Sequence, residues 1–197
     1  MDELILRRAQ KGDHAAFEQL ITPYESMVWR VCWRYTQNHE DASDCAQEAM
    51  LKAWRSLPVY RKDCALESWL YRICISCCLD FLRRRRGAQD ASLSDMAEAG
   101  FDPPSAAPTP EESALHKEES TQLRDAISQL PEDLRTVLIL SALEDKKYED
   151  IADITGVAVG TVKSRLNRAR VRLAQILSAM REPSAKSCVQ HGERRAR

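Results

Sequence analysis

The stretch 148–173, YEDIADITGVAVGTVKSRLNRARVRL, restricts this chain more than any other. Ile151 and Ala152 are the apolar residues of a short helix. Gly156 follows Ala152 where a tight turn needs a residue that tolerates positive φ. Val162 then comes one short turn later and packs the next helix back on the first. A small residue, a glycine and a branched apolar residue at these intervals let two helices cross closely, the arrangement of a helix-turn-helix. The second helix has two unlike faces. Val162, Leu166, Ala169 and Leu173 recur at helical spacing and point inward. Thr161, Ser164, Arg165, Arg168 and Arg172 lie opposite, flanked by Lys163, Asn167 and Arg170. Such a face fits a major groove, where Arg and Lys reach guanine edges and phosphates and Asn pairs an adenine edge. A charge run is also the ordinary make-up of a solvated helix. The Ala-Gly-Val spacing beside it favours DNA.

Composition excludes several classes. The six glycines form no Walker or dinucleotide fingerprint. The net charge of −1 announces no nucleic acid, but the charge is segregated, and a local basic face is what matters. No apolar run spans a bilayer, which argues against membrane insertion, and the start MDELILRRAQKGD is too charged for a secretory core. A cytoplasmic location is expected. Seven cysteines, an odd number without framework spacing, suit a reducing compartment.

Taken in order, residues 2–11 predict a short helix on Leu4, Ile5 and Ala9, ended by Gly12 and restarted by Asp13 as N-cap. Phe17, Leu20, Ile21, Tyr24, Val28, Val31 and Tyr35 keep one stripe, broken at Pro23, where Thr22, Pro23 and Glu25 read as a fresh capped start. In the helix at 40–57, Ala46, Ala49, Met50, Ala53 and Leu57 face inward, while Asp44, Gln47, Glu48 and Leu51 make an acidic outer ridge with an apolar centre. The helix at 66–86 buries Leu66, Leu70, Ile73, Cys77 and Phe81, turns Arg72, Ser76 and Arg83 elsewhere, and stops at Gly87. Four prolines among Ala, Ser and acids mark 88–111 as a flexible linker. A second domain follows at 112–180, with Leu123, Ala126, Ile127 and Leu130 on one helix and Pro131 dividing it from the next. A basic tail at 181–197 is expected to be disordered. No strand pattern appears, so the fold class is all-α: two small helical domains joined by a flexible linker, the second carrying the helix-turn-helix.

Cys74, Cys77 and Cys78 share one helical turn, with Cys32, Cys45 and Cys64 near in sequence. A redox or metal site is conceivable, but no histidine accompanies them and paired zinc knuckles are absent, so packing is favoured. The four histidines form no triad with Ser or Cys. Neither an enzyme, a cofactor, a metal nor a small-molecule substrate is expected.

Three blocks together carry a family resemblance: DASDCAQEAMLKAW at 41–54, ESWLYRICISCCLDFLRRR at 67–85, and the run from Leu130 to Leu173. In this order, separated by a linker, they resemble a bacterial sigma factor of the extracytoplasmic-function (ECF) type. The resemblance implies that residues 1–87 (region 2) dock on core RNA polymerase through Asp44, Gln47, Glu48 and Leu51. It implies capture of the unwound minus-ten strand by Arg61, Lys62, Leu66, Arg72, Ser76 and Arg83, since flipped bases need pockets beside a basic track. It places 112–180 (region 4) on the minus-thirty-five duplex through Thr161, Lys163, Ser164, Arg165, Asn167, Arg168 and Arg172. Promoter DNA and an anti-sigma factor are the further implied partners. Ser76 stands where the family commonly has Asn, Leu66 where many members have Phe, and Lys147 where a Ser or Thr N-cap is usual. Two other readings stay open at this point: a helix-turn-helix regulator whose N-terminal helices bind ligand or dimerise, and a thiol-based sensor.

Overall fold

The structure is a computed structural model that describes residues 3–91 and 110–181. Its described residues form nine α-helices with short 3₁₀ and π turns between them, and no strand. α1 (Glu3–Gln10) and α2 (His14–Ile21) pack on each other. Gly12 makes the turn at φ 91°, and the Asp13 carboxylate accepts from the Ala16 N–H at 3.1 Å, the expected N-cap. On α1 the buried residues are Leu6 and Ala9; Leu4, expected inside, is 66% exposed. Ala9 and, partly, Ile5 face the core as expected, and Leu6 takes the place of Leu4.

Pro23 does break the next helix, in a 3₁₀ turn at Thr22–Tyr24. The anticipated capping box does not form. Thr22 Oγ1 donates back to the Glu18 carbonyl at 2.8 Å and closes α2, so α3 (Glu25–Thr36) starts without a side-chain cap. α4 (His39–Ser56) is capped by Asn38, whose Oδ1 accepts from the Asp41 N–H at 3.0 Å. α5 runs from Leu66 to Ala91. Gly87 does not stop it: a glycine inside a helix costs only about 1 kcal/mol against alanine, which a long helix absorbs. The first four residues of the expected linker thus belong to α5 and its last two to α6; residues 92–109, the rest of it, and 182–197, in the expected tail, lie outside the described residues. α3, α4 and α5 pack pairwise around Val28, Val31, Leu70 and Cys78, and the alanines at 42, 49 and 53 let α4 approach closely.

α6 (Pro110–Ser128) buries Ala126 and Ile127, whereas Leu123 is 41% exposed rather than inward. Pro131 separates α6 from α7 (Glu132–Leu138), its carbonyl accepting from Arg135 N–H at 2.8 Å. Arg135, 3% exposed, turns back to donate to the carbonyls of Ser128 and Leu130, the latter at 3.0 Å. A cation thereby sits at the negative end of α6. After α7 the chain widens into a single π turn at Ile139–Leu143, where Glu144 N–H reaches back to Ile139 C=O at 3.0 Å. α8 (Tyr148–Thr155) and α9 (Val159–Arg181) complete the described residues.

The C-terminal helices dock on the N-terminal ones. α8 packs on α5, and the buried residues of both groups form one continuous core. This explains why α5 is buried on more than its expected stripe. Tyr71 and Ile75, off that stripe, are 1% and 8% exposed. The buried Tyr35 hydroxyl donates to Thr136 Oγ1 at 2.9 Å across the junction.

Candidate nucleic-acid and polymerase surfaces

The helix-turn-helix forms as the sequence predicts. Gly156 closes α8 at φ 71°, and its N–H reaches the Ala152 carbonyl at 2.8 Å. Ile151 and Val162 are fully buried and Ala152 nearly so, the three-way contact that holds α8 across α9. No side chain caps the start of α8 at Lys147, as the departure from Ser or Thr implies. Leu166 and Ala169 continue inward. Lys163, Ser164, Asn167, Arg168 and Arg172 are exposed along the other side of α9. Lys163 Nζ lies 5.9 Å from the centre of the Tyr148 ring, which steers that ammonium toward the helix start. Thr161 is half-buried. Arg165 departs from the expected row: its Nε pairs with Asp133 at 3.3 Å, facing α7.

The acidic ridge is free. Asp44, Gln47, Glu48 and Leu51 are all exposed on α4, Leu51 at 48%. Asp44 and Glu48 also edge an open cleft of about 500 Å³ between α4 and α5, floored by Cys45, Cys77 and Phe81. Arg85, from the arginine run that ends the predicted helix, folds back onto Asp41 beside it.

The residues matched to strand capture are divided. Arg61 and Lys62 are exposed on the loop before α5; Lys62 sits at φ 62° and its ammonium meets Glu3 at 3.1 Å. Leu66 is buried, as the helical spacing of 66–86 places it, and not open to a strand. It is the first residue of α5 and only 4% exposed, on the core stripe of that helix. Arg72, Ser76 and Arg83 share one side of α5 and line a cleft of about 670 Å³ toward Glu132, Asp133 and Arg165. Arg72 donates through Nε to the Asp153 carbonyl at 2.9 Å. Arg83 donates to Glu132 at 2.6 Å and to Asp80 at 3.2 Å. Ser76 Oγ receives Lys52 Nζ at 3.0 Å, so a lysine of α4 reaches through to this face, a contact that no spacing announced.

A carboxylate buried at the junction, Glu144, carried no signal in the sequence. Its side chain is 1% exposed. Arg30 donates to it through Nε at 3.1 Å and Nη2 at 2.9 Å, the Tyr71 hydroxyl at 2.8 Å, and Arg34 pairs with it. Burial alone would raise this carboxyl, but the hydrogen bonds from Arg30 and Tyr71 and the charge of Arg34 outweigh it and hold it below the usual carboxylate range. Tyr71 is pushed up in turn, by burial and by the carboxylate it serves.

Cys32, Cys45, Cys74, Cys77 and Cys78 are buried free thiols where α3, α4 and α5 meet, and Cys64 is half-buried. Burial pushes Cys77 up to about 11, so its unreactive thiol form dominates. Among the described residues, no cluster of His, Cys, Asp or Glu could hold a metal ion. None of the described helices is long and apolar enough to cross a membrane.

The described residues are all helical, with a helix-turn-helix, an exposed basic face on α9 and a separate exposed acidic ridge on α4. Comparison with known proteins gives the class of the chain. Residues 20–88 match the family described as Sigma-70 region 2, and residues 120–173 match Sigma-70, region 4. The chain is 37% identical over 187 residues to the RNA polymerase sigma-H factor of Pseudomonas aeruginosa, covering 91% of this chain and 95% of that protein. It is 37% identical over 173 residues to the ECF RNA polymerase sigma-E factor of Escherichia coli, covering 86% and 90%. The chain belongs to the sigma-70 family, in its ECF branch, and is a promoter-specificity factor for transcription initiation. Among solved structures, the sigma factor RpoE of Bartonella quintana, in complex with the anti-sigma factor NepR, superposes with a TM-score of 0.62 at 26% identity, covering 84% of this chain and 98% of that one. CnrH, in complex with the cytosolic domain of CnrY, shares the fold with a TM-score of 0.63 at 22% identity, covering 90% and 97%.

Proposed function

We propose that this sigma factor binds core RNA polymerase through Asp44, Gln47, Glu48 and Leu51, reads the minus-thirty-five duplex with α9 and holds the unwound minus-ten strand along α5. Its domains are residues 1–87 and 112–180, with the DNA surface of each on a different helix. The observation that carries the reading is that the ridge on α4 and Lys163, Ser164, Asn167, Arg168 and Arg172 on α9 are exposed on separate helices. One chain thereby offers an acidic surface to protein and a basic one to duplex DNA at once. Major-groove readout needs side chains of this kind free on one helix face. Arg61, Lys62, Arg72, Ser76 and Arg83 supply the basic track for the single strand; Leu66 contributes packing instead. Arg165 joins the reading face only after it leaves Asp133.

The protein works by binding energy and not by catalysis, in the cytoplasm, without metal or cofactor. An anti-sigma factor is its regulatory partner, as for the Bartonella RpoE relative; that likeness supports the assignment. The test adds the purified chain to core polymerase on fragmented genomic DNA and sequences the transcript starts. The expected result is a set of starts sharing two spaced elements. Starts no different from those of core polymerase alone would overturn the reading.

A further inference from the structure

Lys52 is a cation that belongs to neither surface assigned above. It lies on α4 one turn after Glu48 of the acidic ridge, half-buried, and its side chain crosses to α5. There Nζ donates to Ser76 Oγ at 3.0 Å. Ser76 Oγ stands 3.5 Å from Asp80 Oδ2, and Arg83 donates to the other oxygen of that carboxylate at 3.2 Å. Lys52, Ser76, Asp80 and Arg83 thus form one hydrogen-bonded row along the face of α5 read above as strand-binding. Among the described residues no carboxylate pairs with Lys52. After one hydrogen bond an ammonium still has donors to spare, and it has no acceptor.

A lysine between two helices is commonly no more than a strut. Here α4 and α5 already pack through buried apolar residues, and the ammonium ends on a neutral hydroxyl instead of the carboxylate that would suit a strut better. A lysine waving in solvent feels charge alone. One anchored on Ser76 has a direction, so it discriminates between acceptors. Guanine, cytosine and thymine each carry a carbonyl oxygen on an edge. Adenine carries none; its ring nitrogens N1 and N7 flank an amino group, which meets the ammonium donor to donor. Asp80 does not reverse this preference, because Arg83 holds its carboxylate.

We propose that Lys52 is a specificity-determining contact for the minus-ten element: its ammonium, anchored on Ser76, takes a carbonyl oxygen of one unpaired base and excludes adenine at that position. With α5 read as the minus-ten surface, on which this rests, the roles divide by chemistry. Arg72 and Arg83 hold phosphates, which carry no sequence information. Lys52 supplies the donor that a base edge sees, and Ser76 sets where that donor sits. Lys52 springs from the helix that bears the polymerase ridge, so docking and base readout share one rigid element.

The test uses the reconstituted holoenzyme and a library built on one mapped promoter, in which each minus-ten position carries each of the four bases and transcripts are counted by sequencing. At one position the wild type should use adenine about tenfold less than the best base, the worth of one charge-assisted hydrogen bond. Lys52→Met, similar in length without the charge, should level the bases at that position and leave preferences elsewhere as they were. Lys52→Arg, which still donates, should keep adenine excluded, and Ser76→Ala, which frees the ammonium from its anchor, should weaken the exclusion. A strut or a phosphate contact changes affinity and not base preference. An equal fall for all four bases in Lys52→Met, or an unchanged exclusion of adenine, would therefore overturn the proposal. If Lys52→Met loses helical circular dichroism, Ser76→Ala decides, and exclusion at the wild-type level there would overturn it. A wrong assignment of the α5 face shows independently: the holoenzyme carrying Arg72→Ala and Arg83→Ala would then open promoters normally.

Discussion

Gly156→Ala probes the hinge of the helix-turn-helix. Gly156 ends α8 at φ 71°, and a Cβ built there meets nothing within 4 Å. Steric crowding is therefore absent and the whole effect is backbone conformation. Holding an L-residue left-handed costs about 1–2 kcal/mol. Part of that is offset by about 0.4–1 kcal/mol, because alanine has less freedom than glycine when unfolded. The net expectation is a destabilisation of about 1 kcal/mol. Gly160 gives the control. It lies in the first turn of α9 without a positive φ, and its added Cβ also meets nothing. Gly160→Ala should therefore stabilise, by about 0.4–1 kcal/mol. Urea melts followed by circular dichroism compare the two; the midpoints should move in opposite directions with unchanged slopes. Gly156→Ala as stable as the wild type would refute the left-handed turn and the crossing of α8 over α9 built on it.

Arg168→Ala should weaken binding to minus-thirty-five duplex by about 1–3 kcal/mol and relax the base preference at one position, measured by fluorescence anisotropy on sequence variants; unchanged affinity and preference would remove Arg168 from the reading row. Glu48→Lys should lower affinity for core polymerase in a pull-down titration while leaving the melting temperature alone, and a matching fall in stability would assign Glu48 to the fold. Leu6→Ala, emptying a fully buried site on α1, should cost about 2–5 kcal/mol in a denaturant melt; an effect below 1 kcal/mol would mean that α1 is not part of the core. The contact of Glu144 with Arg30, Arg34 and Tyr71 also has a pH signature. The Glu144 carboxyl lies below its ordinary value of 4.5 in the folded chain, so its contribution is fully present above that value and is lost as pH falls through the lower folded one. The scattering radius should stay constant from about pH 8 to about pH 5 and grow only in stronger acid; growth near pH 6 would point to another group.

The helix-turn-helix was legible because each part of it is local. The Ala152–Gly156–Val162 spacing, the αL turn and the two faces of α9 depend on residues within one short stretch. The outward ridge of α4 was legible for the same reason. Where the sequence misled, a longer-range contact decided. Leu66 carried two readings, a buried helix position from its spacing and a strand contact from the family resemblance, and its burial in the core agrees with the first. Thr22 had the chemistry of an N-cap, but its hydroxyl found the Glu18 carbonyl behind it first. Tyr71 and Ile75 are buried by α8 and the cleft beside it, a neighbour more than seventy positions away, so no periodicity within α5 marked them. Glu144 looked like any solvated acid before two lysines. Only the π turn at Ile139–Leu143, which re-aims the chain end of α7, brings it to Arg30, Arg34 and Tyr71. Cys74, Cys77 and Cys78 read as packing residues, and their burial together with Cys32 and Cys45 among three helices agrees.

The most direct measurement is a footprint of the holoenzyme on one promoter found by transcript mapping, combined with permanganate probing of unpaired thymines. Two protected blocks centred on the minus-ten and minus-thirty-five elements should appear together, with reactive thymines confined to the first, and the upstream block alone should weaken in Arg168→Ala. A single protected block, or a duplex that stays closed to permanganate while bound, would contradict the assignment of two reading surfaces to this one chain.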